Sequence, residues 1–143
     1  MPLDIPAVRD RLKSFDFVSL FTQELGWDFP ANRRTPLSVT VKQKSFDLQT
    51  IAQKRNVPIY LYQSAAGEDF PDSVTRRAIH KEARKSAHEH LIIYVDAQRT
   101  TQIWQWVAYR TGQPPAYREQ SYIPGAQSGD ALIQKLATIS VPI

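Results

Sequence analysis

Cysteine is absent from this chain, which excludes disulfides and cysteine-ligated zinc. No apolar run approaches the roughly 20 residues a membrane-spanning helix needs. The N-terminus, MPLDIPAVRDRLKSFDF, lacks the basic, apolar and cleavage regions of a secretory signal, so a cytoplasmic protein is expected. There is no P-loop, no G-x-G-x-x-G and no G-x-S-x-G, which leaves nucleotide-cofactor and serine-nucleophile chemistry without support. Repeats, low-complexity tracts and internal linkers are missing too.

What remains is an ordinary globular composition. Of 143 residues 42% are hydrophobic and 22% charged, enough for one domain over residues 1–143 with a real core. The net charge of +4 is a mild basic bias that permits contact with nucleic acid without requiring it.

Periodicity gives a mixed α/β (α+β) reading in the order αβββαβββα. Residues 4–26 read as helical, with Asp16 capping the second part and Phe17, Leu20, Phe21 and Leu25 along one face. Gly26 then closes the helix as a left-handed residue. Leu37–Val41 alternates as a strand, and Lys42-Gln-Lys-Ser suits a tight turn. Phe46–Ala52 is ambiguous: Phe46, Leu48 and Thr50 fit a strand, whereas Leu48, Ile51 and Ala52 fit a helix; a strand, completing a meander, is favoured. Val57–Tyr62 reads as a short central strand with Pro58 at its start.

Pro71–Glu89 is the second helix, with Pro71 in its first turn and Val74, Ala78, Ile79 and Ala83 as its buried stripe. Asp72 in that turn suits the helix dipole. His90–Asp96 and Gln102–Tyr109 form a hairpin in which Ile103, Gln105 and Val107 face one way and Trp104, Trp106 and Ala108 the other. The Arg110–Pro115 loop ends it. A strand near Arg118–Ile123 and a final helix, capped by Ser128 or Asp130 and burying Leu132, Ile133 and Leu136, complete the chain. The end, Ser140-Val-Pro-Ile143, is as compatible with a module cut from a longer polypeptide as with a natural terminus.

Four constellations could carry function. Metal-dependent phosphodiester hydrolysis needs clustered carboxylates around a hard cation and a lysine near the attacking water. Asp47 on the second strand, Gln63 at the end of the third and Glu24 on the first helix are the candidates, with Lys54 as the lysine. On this reading alone Mg2+ is a cofactor; otherwise none is implied. The third strand, Ile59-Tyr-Leu-Tyr-Gln63, offers neither acid nor lysine, and a turn or a surface pair is the commoner role for an aspartate such as Asp47.

His80, His88 and His90 cluster in sequence without an H-E-x-x-H spacing. His88 suits a helix C-terminus, His90 a hydrogen bond at a strand end, and no metal site is expected. Arg76, Arg77, Lys81, Arg84 and Lys85 recur on the polar side of the second helix, with Arg33, Arg34, Lys42 and Lys44 as further cations. Such a face can track phosphates, although a solvated face with i, i+4 pairing is the commoner case. Tyr60, Tyr62, Trp104, Trp106, Tyr109, Tyr117 and Tyr122 could stack on bases if exposed; packing under the helices is the more usual role.

The order helix, three strands, helix, strand resembles the core of the PD-(D/E)xK nucleases. Together, Phe15-Asp-Phe-Val-Ser-Leu-Phe-Thr-Gln-Glu-Leu-Gly-Trp-Asp28, Ile51-Ala-Gln-Lys-Arg-Asn-Val-Pro-Ile59, Glu89-His-Leu-Ile-Ile-Tyr, Gln102-Ile-Trp-Gln-Trp-Val and Tyr122-Ile-Pro-Gly-Ala-Gln-Ser-Gly-Asp-Ala-Leu-Ile-Gln-Lys-Leu136 resemble the N-terminal region of large bacterial restriction–modification-type proteins. In those proteins such a region is fused to an adenine-specific DNA methyltransferase or to helicase-like parts. The shared motifs are structural, and N-P-P-[YF] and a glycine-rich S-adenosylmethionine loop are absent. The resemblance implies an accessory module doing DNA-associated work, with a methyltransferase or helicase domain as partner. Non-specific DNA binding by a non-catalytic module, cleavage by a metal-dependent endonuclease and a protein–protein scaffold all stay open.

Overall fold

A computed structural model describes residues 4–29, 37–54, 57–86, 90–108, 116–127 and 129–140. Helix α1 (Ile5–Lys13) starts at Asp4, whose carboxylate accepts the Ala7 N–H, and has Pro6 in its first turn, where a missing N–H costs nothing. Its register breaks at Phe15, which takes a left-handed φ of 61°. Asp16 then caps α2 (Phe17–Ser19) through the Ser19 N–H, as its position before an apolar stripe suggests. The helix widens into a π-helical turn at Leu20–Glu24, closed by Leu25 N–H to Leu20 O at 3.0 Å. Gly26 ends it at φ 73°. The expected single helix is therefore two helices, but Phe17, Leu20, Phe21 and Leu25 are all buried, as their spacing implies.

Six strands follow: β1 (Leu37–Val41), β2 (Lys44–Lys54), β3 (Val57–Gln63), β4 (Leu91–Val95), β5 (Gln102–Ala108) and β6 (Ala116–Tyr122). They lie in one mixed sheet in sequence order, antiparallel throughout except for the parallel β3–β4 pair. Helix α3 (Ser73–Ser86) connects that pair, and α4 (Asp130–Ser140) ends the fold. The element order roughly matches αβββαβββα, in an α+β fold. Among the described residues no helix is long and apolar enough to cross a membrane.

Two cores sandwich the sheet. On one face α1, α2, the π turn and α4 bury Leu12, Phe21, Trp27, Leu132 and Ile133 against Ile59, Ile93, Trp104 and Tyr122. On the other, α3 buries Ile79 and Ala83 against Val39, Leu48, Tyr60, Ile92 and Tyr94. Strand β2 changes face within itself. Phe46 and Leu48 point to the α3 side, but a bulge between Thr50 and Ala52 turns Ile51 and Ala52 to the other core. A bulge inserts a residue and increases local twist. The sheet consequently coils around α3, which lies against β1 and also reaches Glu119 on β6.

Three expectations need correction. Val74 is not part of the buried stripe of α3; it is 63% exposed, and the inward face is Arg76, Ile79, His80 and Ala83. Pro71 precedes the helix, and Asp72 is its cap, accepting the Thr75 N–H at 2.8 Å. Asp130 lies within the first turn of α4 and pairs with Arg9. Ser128, His88, Tyr109, the Arg110–Pro115 loop and the side chain of Leu136 lie outside the described residues.

The β1–β2 hairpin turns on only Lys42 and Gln43, both left-handed (φ 51° and 69°). This is the pattern of a type I′ turn, in which glycine or asparagine is favoured. Gln43→Gly is therefore expected to stabilise the protein by about 1 kcal/mol by relieving left-handed strain. Urea denaturation of the two proteins checks this; an unchanged or lower midpoint would show that the turn is not strained.

Candidate nucleic-acid interface

Helix α3 carries most of the candidate cations, and the structure divides them sharply. Arg76 points inward. Its guanidinium grips the Glu119 carboxylate through two bonds of 2.9 and 2.8 Å and donates a third, of 2.7 Å, to the Pro71 carbonyl. Glu119 also accepts the Tyr117 hydroxyl, which itself accepts from Gln105. Gln105 in turn donates to the Arg76 carbonyl and accepts the Tyr94 hydroxyl. Burial raises the Glu119 carboxyl, but the bonds from Arg76 and Tyr117 outweigh it and hold it below the usual range. Burial pushes Tyr117 up to about 12. Arg76 is thus structural, and the expectation that it contacts phosphate is not supported by its geometry.

Arg77 is exposed, with its guanidinium 4.7 Å from the centre of the Tyr117 ring. Lys81 is exposed and Arg84 half-buried, and neither is in an ion pair among the described residues. Lys85 pairs with Glu82 at 2.9 Å. Lys42, on the hairpin turn, lies close enough to the start of α3 for its charge to help depress the Asp72 carboxyl. Lys44 is bound to Glu68 and rests over the Phe46 ring. Arg33 and Arg34 lie outside the described residues. An outward set of Lys42, Arg77, Lys81 and Arg84 is left.

The residues considered for metal binding are only partly brought together. Gln49 opposes Leu61, so Asp47 and Gln63, two places along each strand, share a sheet face. Asp47 accepts the Ser38 hydroxyl at 2.7 Å. The Gln63 amide donates to the Asp96 and Ser64 carbonyls. Glu24 instead joins Asp16 around Arg11, and Lys54 lies over the Trp27 ring. One carboxylate and one amide oxygen do not fit the several oxygen ligands a hard divalent cation takes.

Comparison with protein-family models, curated proteins and solved structures finds no match to this chain.

Of the aromatics that could stack on bases, Trp104 and Tyr122 are fully buried and Tyr60 and Tyr62 nearly so, Trp106 and Tyr117 are half-buried, and Tyr109 lies outside the described residues. Two buried polar features escape a reading of the sequence. His80 and His90 meet with their ring nitrogens 3.1 Å apart. Gln102 donates to the Leu12 carbonyl and accepts the Trp104 indole N–H, tying β5 to α1. Ten residues separate the histidines and ninety separate Gln102 from Leu12, so no local pattern reveals either contact.

Proposed function

We propose that this chain is a non-catalytic, nuclease-like module of a restriction–modification or related DNA-processing protein, and that it holds duplex DNA weakly and without sequence preference. The observation that carries this reading is the outward cation set Lys42, Arg77, Lys81 and Arg84 on and beside α3. The likeness of Phe15–Asp28, Gln102–Val107 and Tyr122–Leu136 to restriction–modification N-terminal regions supports it. So does the meander of β1–β3 followed by α3 and a strand parallel to β3. A methyltransferase or helicase domain is the partner the resemblance implies. Cutting is left out of the proposal because the donors around Asp47 suit a divalent cation poorly.

Surface cations bind phosphates by releasing counterions and read no base edges. Affinity for any duplex should fall steeply with salt. The Lys42→Glu/Lys81→Glu/Arg84→Glu variant is expected to bind at least about tenfold more weakly at low salt, with a log–log salt slope shallower by about 1 per lost contact. A mobility-shift titration at two salt concentrations, with a parallel manganese lane, tests this. Equal binding by variant and parent, or binding indifferent to salt, overturns the phosphate role. No shift at low salt points to a scaffold. Metal-dependent fragments would restore the nuclease.

A further inference from the structure

The two residues that make the β1–β2 turn, Lys42 and Gln43, both hold a left-handed backbone, at φ 51° and 69°. Glycine or asparagine takes such positions readily, whereas a lysine and a glutamine are strained there. Both side chains are exposed, and among the described residues neither makes a hydrogen bond or an ion pair. Nothing these side chains touch inside the fold offsets the strain. Strained backbone held in place by its surroundings gathers at binding sites.

The strands below the turn hold it firmly. Val39 and Phe46 oppose each other in the ladder and are both buried in the core shared with α3, where Val41 packs too. The Ser38 hydroxyl donates to Asp47 at 2.7 Å, and Lys44 bonds Glu68 at 3.0 Å. The tip is thereby presented beside the start of α3, where the Lys42 charge reaches Asp72. From Asp72 to Arg84 a helix rises roughly 18 Å, so Lys81 and Arg84 are set well back from the tip.

We propose that Gln43 enters the major groove of a DNA duplex, with Lys42 on one phosphate rim and Lys81 and Arg84 on the backbone beyond the other. The tip is then the element that makes the site prefer duplex to single strand. This rests on the DNA-holding reading of the same cations. The major groove is about 12 Å wide and admits a two-stranded β-ribbon, which the spacing between tip and rear cations can straddle. Every base pair presents a purine N7 acceptor there, so the Gln43 amide finds a partner whatever the sequence. A single strand offers phosphates but no groove. The cations therefore act on both forms and Gln43 on one. Gln43 is also neutral, so its contact releases no counterion and leaves the salt slope alone.

Fluorescence anisotropy tests this with a mixed-sequence duplex and one of its strands, each at three salt concentrations. The proteins are the parent, Gln43→Gly and Lys81→Glu/Arg84→Glu. Gln43→Gly should bind duplex about fivefold more weakly, the loss of one hydrogen bond, with the salt slope and single-strand affinity of the parent. Its urea midpoint should rise in the same preparation, so that stability and binding move in opposite directions. Charge reversal should weaken both forms and flatten both slopes. Duplex binding by Gln43→Gly equal to the parent's, or an equal loss on both forms, overturns the groove contact and leaves the phosphate reading standing. A midpoint that does not rise removes the strain from which the contact is inferred and overturns it as well. A parent that binds neither form at low salt overturns both readings.

Discussion

Trp104→Ala is expected to be the most damaging single substitution in the protein, costing about 4 kcal/mol, in the range for aromatic-to-alanine changes in cores. Trp104 is fully buried at the middle of the first core. Its ring meets Phe17 edge-on at 5.8 Å and lies tilted against Phe21 at 5.9 Å, so its removal leaves both helical aromatics facing a void. The indole N–H is the donor to Gln102, and its loss leaves a buried amide oxygen unpaired, which adds about 1–3 kcal/mol when no water enters. Domains of this size have roughly 5–15 kcal/mol in total, so the variant should be close to unfolding at physiological temperature. Trp104→Phe fills most of the volume and isolates the hydrogen-bond component. Urea melts followed by circular dichroism measure both; a loss under about 1.5 kcal/mol for the alanine variant would mean that α2 collapses into the space.

The Arg76–Glu119 pair is the second test. Arg76 is 11% and Glu119 22% exposed, so removing either partner strands a charge that water only partly solvates. Arg76→Met and Glu119→Leu are each expected to cost about 3 kcal/mol, Glu119→Leu also leaving the Tyr117 hydroxyl without its acceptor. The double change Arg76→Met/Glu119→Leu should be less harmful than the two single losses added together, because neither charge is left behind. A double-mutant cycle of unfolding free energies gives the coupling directly. Additive single losses would show that the two side chains act independently. The pair also separates stability from the proposed DNA contact: if that proposal holds, Arg76→Met, at a temperature low enough to keep it folded, should shift duplex as the parent does, because Arg76 is turned to Glu119. The Glu119 carboxyl is held below its usual range, so its contribution is complete at neutral pH and is lost only as pH falls below the ordinary carboxylate value.

Local chemistry written into neighbouring residues was legible. Asp16 before an apolar stripe, Gly26 after it and the alternation around Trp104 each use contacts within a few positions, and each was realised. The ambiguity at Phe46–Ala52 has a physical source: the bulge breaks the two-residue period, which makes Leu48, Ile51 and Ala52 look helical although all lie on one strand. The phase of α3 was misread for a different reason. A hydrophobic Val74 and a charged Arg76 suggest one face, but distant partners on β4, β5 and β6 satisfy Arg76 and His80 and draw them inward. Sequence places Arg76 among the outward cations because its partner Glu119 lies 43 residues further along the chain.

Strand order that equals sequence order also shapes how the chain reaches this structure. Each strand finds its partner either across a short connection or, once, across the α3 crossover, so the sheet forms by closing small loops whose entropic cost grows slowly with length. The distant step is the return of the first helices: Leu12 must meet Gln102, and Phe17 must meet Trp104, after β5 has been laid down. Pairing of consecutive strands is therefore the local part of assembly, and the seating of α1 and α2 is the long-range event that completes it.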